Sequence, residues 1–276
     1  MRDQQAQGLQ ALRLRLADHP LHRLRFSAPT LSAFHIENTM KTQLTQLTQL
    51  AAALVAALIL SACGGGGDAN PVARGGPPLV VDANGVSSFD SMALGLSMAA
   101  IPVEALSVAE KDSMVFMREE EKLAHDVYAQ LDLRWGTNTR VFGNIANSEN
   151  THTEAVRKLL LRYALSDPSA TSAAGQLQNT TLQGLYTQSA ATGAISLIDA
   201  LKVGAAIEEI DMIDLNKALL GIDNQDIVLV YQNLLKGSRN HLRSFVANLL
   251  NQGVTYVPQY MSVVDYSAIV STPMER

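Results

Sequence analysis

Four stretches of the chain carry apolar residues at alternating three- and four-residue intervals, the spacing of a helix that buries one stripe. The first opens at Ser107-Val-Ala-Glu110, a capping-box pattern, and runs to about Leu133, with Met114, Met117, Glu121, Ala124, Tyr128 and Leu131 on its seam. The second runs from about Thr139 to Leu165, where Ser166-Asp167-Pro168 stops it; its seam is Phe142, Ile145, Glu149, His152, Val156 and Leu159. The third spans about Ser196 to Leu220, with Gly221 as its C′ residue and Leu201, Gly204, Glu208, Asp211 and Leu215 on the seam. The fourth opens near Asp223 and ends before Gly253, through Ile227, Tyr231, Leu234, Ser238, His241, Phe245 and Asn248.

No stretch alternates strictly for long, so the pattern predicts an all-α protein without a sheet. Short links join the first helix to the second and the third to the fourth, which makes each pair an antiparallel hairpin. The link from Ser166 to Ile195 is long enough to cross the whole assembly and is expected to carry a short helix around Thr181–Ala190. Two hairpins joined by a long crossover make a four-helix bundle of ferritin-like topology.

The front of the chain has a different character. Residues 50–62 form an apolar run that is short for a membrane span and suited to the core of a signal peptide. It ends in Leu60-Ser61-Ala62-Cys63 followed by Gly64, Gly65, Gly66 and Gly67, which looks like a bacterial lipoprotein signal with Cys63, the sole cysteine, as the lipidated residue. Residues 40–63 are therefore read as the signal peptide and residues 1–39 as an extension of the gene model. Residues 64–104, rich in Gly and Pro with few charges, are read as a flexible tether. The helical domain is expected over 105–265 and a C-terminal tail over 266–276. These readings place the protein in the bacterial cell envelope, held to a membrane by an N-terminal lipid.

Composition narrows the function. Residues 64–276 carry fifteen Lys/Arg against 23 Asp/Glu, a net of −8, which disfavours nucleic acid as a partner. One cysteine excludes intrachain disulfides, Cys₄ zinc sites and clusters held by several thiolates. The chemistry lies instead where the core should be apolar: Glu121 on the first seam, Glu149 and His152 on the second, Glu208 and Asp211 on the third, Ser238 and His241 on the fourth. Buried carboxylates are costly unless paired, protonated or bound to a cation. Two divalent cations would neutralise four of them, and a Glu-x-x-His spacing sets both ligands on one helix face.

Two stretches, Glu121-Lys-Leu-Ala124-His-Asp-Val-Tyr128 and Glu149-Asn-Thr-His152, resemble the first hairpin of rubrerythrin and other ferritin-like proteins. Three more, Arg118-Glu-Glu-Glu-Lys-Leu-Ala124, Gly204-Ala-Ala-Ile-Glu-Glu-Ile-Asp211 and Gly237-Ser-Arg-Asn-His-Leu-Arg243, resemble the DUF2202 family, a ferritin-like group without an established reaction, over about 107–265. The resemblance implies metal ligands at Glu121, Glu149, His152, Glu208 and His241. Ser238 departs from the dinuclear pattern, which has a Glu there, and Asp211 is the candidate to compensate. The expected function is binding of one or two transition-metal ions, iron or manganese, with oxygen, peroxide or ferrous redox chemistry as the fold-level analogy. A non-catalytic envelope bundle is the alternative, and a homodimer is a candidate assembly. His125 and Arg239 are read as lying outside the ligand set, and Tyr128 and Tyr231 as core residues bonded to seam carboxylates.

Overall fold

The computed structural model describes residues 76–82 and 86–276. The signal-peptide region, Cys63 and the Gly-rich stretch after it lie outside the described residues. Among those described, seven helices and one small hairpin form an all-α protein.

The hairpin pairs β1 (Leu79–Val81) with β2 (Ser87–Phe89) in antiparallel register, Leu79 opposite Phe89 and Val81 opposite Ser87. Helix α1 (Ser91–Ala99) follows, capped by Asp90, whose carboxylate accepts from the amides of Met92 and Ala93. This corrects two expectations: no sheet was predicted, and residues 79–99 were assigned to a flexible tether. The apolar side chains of Leu79, Phe89, Leu94 and Met98 are buried in the core, which is what holds the segment down.

Four long helices carry the core: α2 (Val108–Trp135), α3 (Val141–Arg162), α5 (Leu197–Leu219) and α6 (Gln225–Asn251). Their bounds agree with the sequence pattern, and two of them begin at a chemical start signal. Ser107 and Glu110 form the reciprocal capping box at α2, and Ser196 caps α5 by accepting from Asp199 N. Gly221 follows the end of α5 as expected, but it does not take the left-handed conformation; Gly175 and Gly253 do. The long crossover contains α4 (Thr180–Gly193), capped by Asn179. Helix α2 packs on α3 and α5 on α6, while α4 lies against α2 and α5. A last helix, α7 (Val263–Val270), runs across the expected boundary between domain and tail. The tail is fastened rather than loose, because Glu275 pairs with Arg239 and Arg243.

Every seam residue named from the sequence is buried except Asn248, which is half-buried and accepts from Thr139 Oγ1. The seams face one another, and Tyr128, Phe142 and Phe245 form an aromatic cluster at one level of the core. Among the described residues, no helix is long and apolar enough to cross a membrane.

Candidate metal centre

Residues 118–122 of α2 are all buried, although four are acidic or basic neighbours of Glu121. For Arg118, Glu119 and Lys122 the crossover explains this, because its backbone and side chains use those charges as anchors. Arg118 makes a forked pair with Asp167, at 3.0 and 3.1 Å. Glu119 accepts from the amides of Gln178 and Asn179, and Lys122 binds Asp126 and Ala173 O. Glu121 alone of this run meets a histidine. On α5 the same division holds. Glu209 accepts from Tyr256 Oη and from the amides of Gln259, Tyr260 and Met261, fastening the C-terminal segment. Glu208 faces inward.

The inward residues converge. Glu149 lies between two imidazoles, with Oε2 2.9 Å from His152 Nδ1 and Oε1 2.8 Å from His241 Nδ1. Glu121 Oε2 stands 3.5 Å from His152 Nδ1, and Glu208 Oε2 stands 3.5 Å from His241 Nδ1. The two rings stack at 5.2 Å with 18° between their planes. The set is nearly symmetrical: each imidazole has one carboxylate of its own and shares Glu149. Asp211 accepts a 2.5 Å hydrogen bond from Ser238 Oγ, so the serine that departs from the dinuclear pattern is turned toward a carboxylate supplied from the neighbouring helix. Tyr128 Oη donates to Glu208 Oε1 at 2.8 Å.

Electrostatics sort these groups. Burial works against the charged forms of both histidines, but Glu149 and Glu121 outweigh it at His152, pushed up to about 9. Glu149 and Glu208 do the same at His241, pushed up to about 10. Burial would raise Glu149, yet His152 and His241 together pull it well below the usual carboxylate range. Burial, with Glu149 adding to it, lifts Glu121 to about 7. Asp211 is driven well up by burial and by Glu121 and Glu208. Glu120 is driven up by burial and by Asp214, Asp211 and Glu121.

Several polar atoms here lack an aligned hydrogen bond: Nδ1 of both histidines, Oε1 of Glu121, Oδ1 of Asp211 and both oxygens of Glu120. Buried polar atoms are ordinarily satisfied. An Nδ1 that stands at hydrogen-bond distance from a carboxylate oxygen without alignment fits two donors aimed at a common third point. Glu149, His152 and His241 meet the spacing for one ion directly, each offering an atom within 4.8 Å of the others. The donor set of carboxylate oxygen and imidazole nitrogen suits iron, manganese or zinc.

The sequence pattern places Glu121, Glu149, His152, Glu208, Asp211 and His241 on facing seams; five of them form one chain of contacts of 3.5 Å or less, and Asp211 is bonded to Ser238, near enough to feel the charges of Glu121 and Glu208. One minor expectation differs: Tyr231 Oη bonds Ser113 Oγ at 2.9 Å rather than a carboxylate. Arg239 pairs with the C-terminal Glu275 and His125 is half-buried against Asp126, neither among the contacts of the Glu/His cluster. One residue was missed altogether. Ser87 on β2 puts its Oγ 2.9 Å from Nε2 of both histidines. The signal that could have found it is Asn84-Gly85 between Val80-Val81 and Val86, a strong hairpin mark in a stretch that otherwise reads as linker.

Comparisons with known proteins agree with this picture at the level of family. The model of the uncharacterized protein domain DUF2202 matches residues 110–273. Uncharacterized protein MJ0754 of Methanocaldococcus jannaschii is 45% identical over 179 residues, which is 65% of this chain and 96% of that protein. The crystal structure of hypothetical protein MJ0754 from the same archaeon, at 46% identity, superposes with a TM-score of 0.61 over 63% of this chain and 99% of that one.

Proposed function

The chain belongs to the DUF2202 family, and on that premise we propose that it is a ferritin-like four-helix bundle that binds two transition-metal ions, iron or manganese, in its core. The observation that carries this is the pair of Nδ1 atoms set 2.9 and 2.8 Å from the two oxygens of Glu149, neither with an aligned hydrogen bond. One ion would be held by His152, Glu121 and Glu149, the other by His241, Glu208 and Glu149. The orphaned oxygen of Asp211, whose strongest charged neighbours are Glu121 and Glu208, would supply a further donor. Four carboxylates then balance two divalent cations.

Bound iron or manganese would supply redox chemistry toward oxygen, peroxide or ferrous ion. The chain's own residues do the rest. Tyr128 Oη holds Glu208 by donating to one of its oxygens. Glu121, Glu149, His152, Glu208 and His241 are at most 2% exposed, so only small species have access. A second reading, a metal-free structural bundle, is favoured by one observation: two imidazoliums around Glu149 give a paired core without any ion.

The proposal extends to the front of the chain, where Cys63 would carry a lipid and tie the domain to a bacterial envelope membrane; the lipobox-like sequence supports it. The acidic body supports the expectation that nucleic acid is not a partner. The test of metal binding is thermal melting with Mn²⁺ or Fe²⁺ and with chelator. Ligand at about 100 times its dissociation constant adds roughly 2.7 kcal/mol to a fold that binds it. Identical melting in metal and in chelator would favour the structural reading.

A further inference from the structure

Ser87 comes from a hairpin that lies before the family-matched span of 110–273, yet its hydroxyl touches both histidines. Its surroundings fix where its proton goes. Ser148 Oγ donates its own proton to Ser87 O and accepts from Ser87 N at 2.9 Å. Ser87 Oγ donates to Ser148 Oγ at 3.4 Å. With that proton used, the two lone pairs of Ser87 Oγ are left for the two imidazoles, each at 2.9 Å. The Nε2 contacts are aligned as hydrogen bonds, whereas Nδ1 of both rings is not. Each ring therefore carries a hydrogen on Nε2, and Nδ1 of both faces Glu149, holding a second proton in the metal-free protein and free to ligate once a metal displaces it.

The fit around this contact is tight. A Cβ at Gly237 would stand 2.4 Å from His152 Cε1, 2.7 Å from its Nε2 and 3.0 Å from Ser87 Oγ. Phe89, two residues along β2, packs edge-on against the His152 ring at 5.6 Å. Its amide donates to Thr151 Oγ1 on α3 at 3.0 Å. The hairpin is thus docked on the helix that carries Glu149 and His152, with one hydroxyl spanning to α6.

We propose that Ser87 is the positioning residue of the metal centre: its one oxygen accepts an Nε2–H from His152 and from His241 and so holds both rings with Nδ1 toward Glu149. This rests on the metal-binding reading above and adds that the N-terminal hairpin is part of the centre. A group that orients a metal-ligating histidine through its other nitrogen typically accounts for 10–100-fold in affinity.

The experiment uses the full-length chain, wild type and Ser87→Ala, titrated with Zn²⁺ as a diamagnetic probe. Histidine tautomers are read from long-range ¹H–¹⁵N NMR, and melting checks that the variant is folded. The expected result is Nδ1 ligation with a protonated Nε2 at both histidines of the wild type, and an affinity lowered by about 10–100-fold in the variant. Ligation through Nε2 at either histidine of the wild type would overturn the proposal whether or not the variant folds. Unchanged affinity in a folded Ser87→Ala protein would overturn it too, while leaving metal binding intact. A wild type that binds no metal would overturn both.

Discussion

Glu149 sits between two imidazoles that reach it from α3 and α6, and this decides how the centre answers to protons. In the metal-free protein His152 and His241, pushed up to about 9 and about 10, are both charged at neutral pH. Their folded values exceed the unfolded one, so the stability they contribute is fully present below about pH 6.5 and is lost as pH rises through 9 and 10. Glu121, raised to about 7, acts in the same direction: its charged form is disfavoured in the fold, so stability falls as pH climbs from its unfolded value. Metal-free protein should therefore melt progressively lower from about pH 5 to pH 10, and metal-saturated protein should not show that decline. Parallel melting curves with and without metal across this range would contradict the assignment.

Metal binding at Nδ1 must displace the proton each ring carries there. Loading both ions near pH 7 should release roughly two protons from the histidines, and apparent affinity should rise with pH until about 10. Calorimetry in buffers of different ionisation heat measures this directly, and a release of none would mean that the histidines are not ligands. Glu149→Gln should abolish tight binding. In the metal-free state it also removes the partner of two buried cations, so it should destabilise by about 3 kcal/mol near pH 6 rather than relieve repulsion. A Glu149→Gln protein that is more stable than wild type there would show that carboxylate repulsion, not this pairing, dominates the core.

At the scale of elements, the long helices were legible because their signals are periodic and chemical. A seam every three or four residues, a capping box at Ser107 and a serine at Ser196 fix where they begin and which face they bury. The hairpin at 79–89 was not legible, since three-residue strands are too short to show alternation and the composition around them is that of a linker. Helical periodicity also could not separate Glu121 from Glu119 and Glu120. All three are buried; the crossover takes Glu119, Glu120 lies beside Asp214 and Asp211, and Glu121 is the one that meets His152. Close packing between α5 and α6 depends on Gly204, where a Cβ would stand 2.4 Å from the Phe245 ring. Gly204→Ala should cost about 1–3 kcal/mol by overpacking. Combined with Phe245→Leu, its cost should fall below the sum of the two single changes. Additive losses in thermal unfolding would mean that the ring moves aside without strain.

The whole chain joins an acidic helical domain of known family to a front segment whose sequence has the form of an export and lipidation signal. On that reading the mature protein begins at a lipidated Cys63. Mass spectrometry of membrane-extracted protein should show the diacylglycerol-modified cysteine at its N-terminus; an intact leader or an unmodified Cys63 would remove the envelope from the account. The domain itself is tied at both ends of the chain it describes. The hairpin reaches the histidines through Ser87, and the C-terminal Glu275 locks onto Arg239 and Arg243 of α6, the helix that carries His241. The central claim is that the carboxylates and imidazoles gathered between the four long helices hold two metal ions. Anomalous diffraction at the manganese edge, from crystals of protein loaded with Mn²⁺, tests it most directly. The account predicts two peaks flanking Glu149, one bonded to His152 Nδ1 and one to His241 Nδ1, and a map without anomalous density at these residues would contradict it.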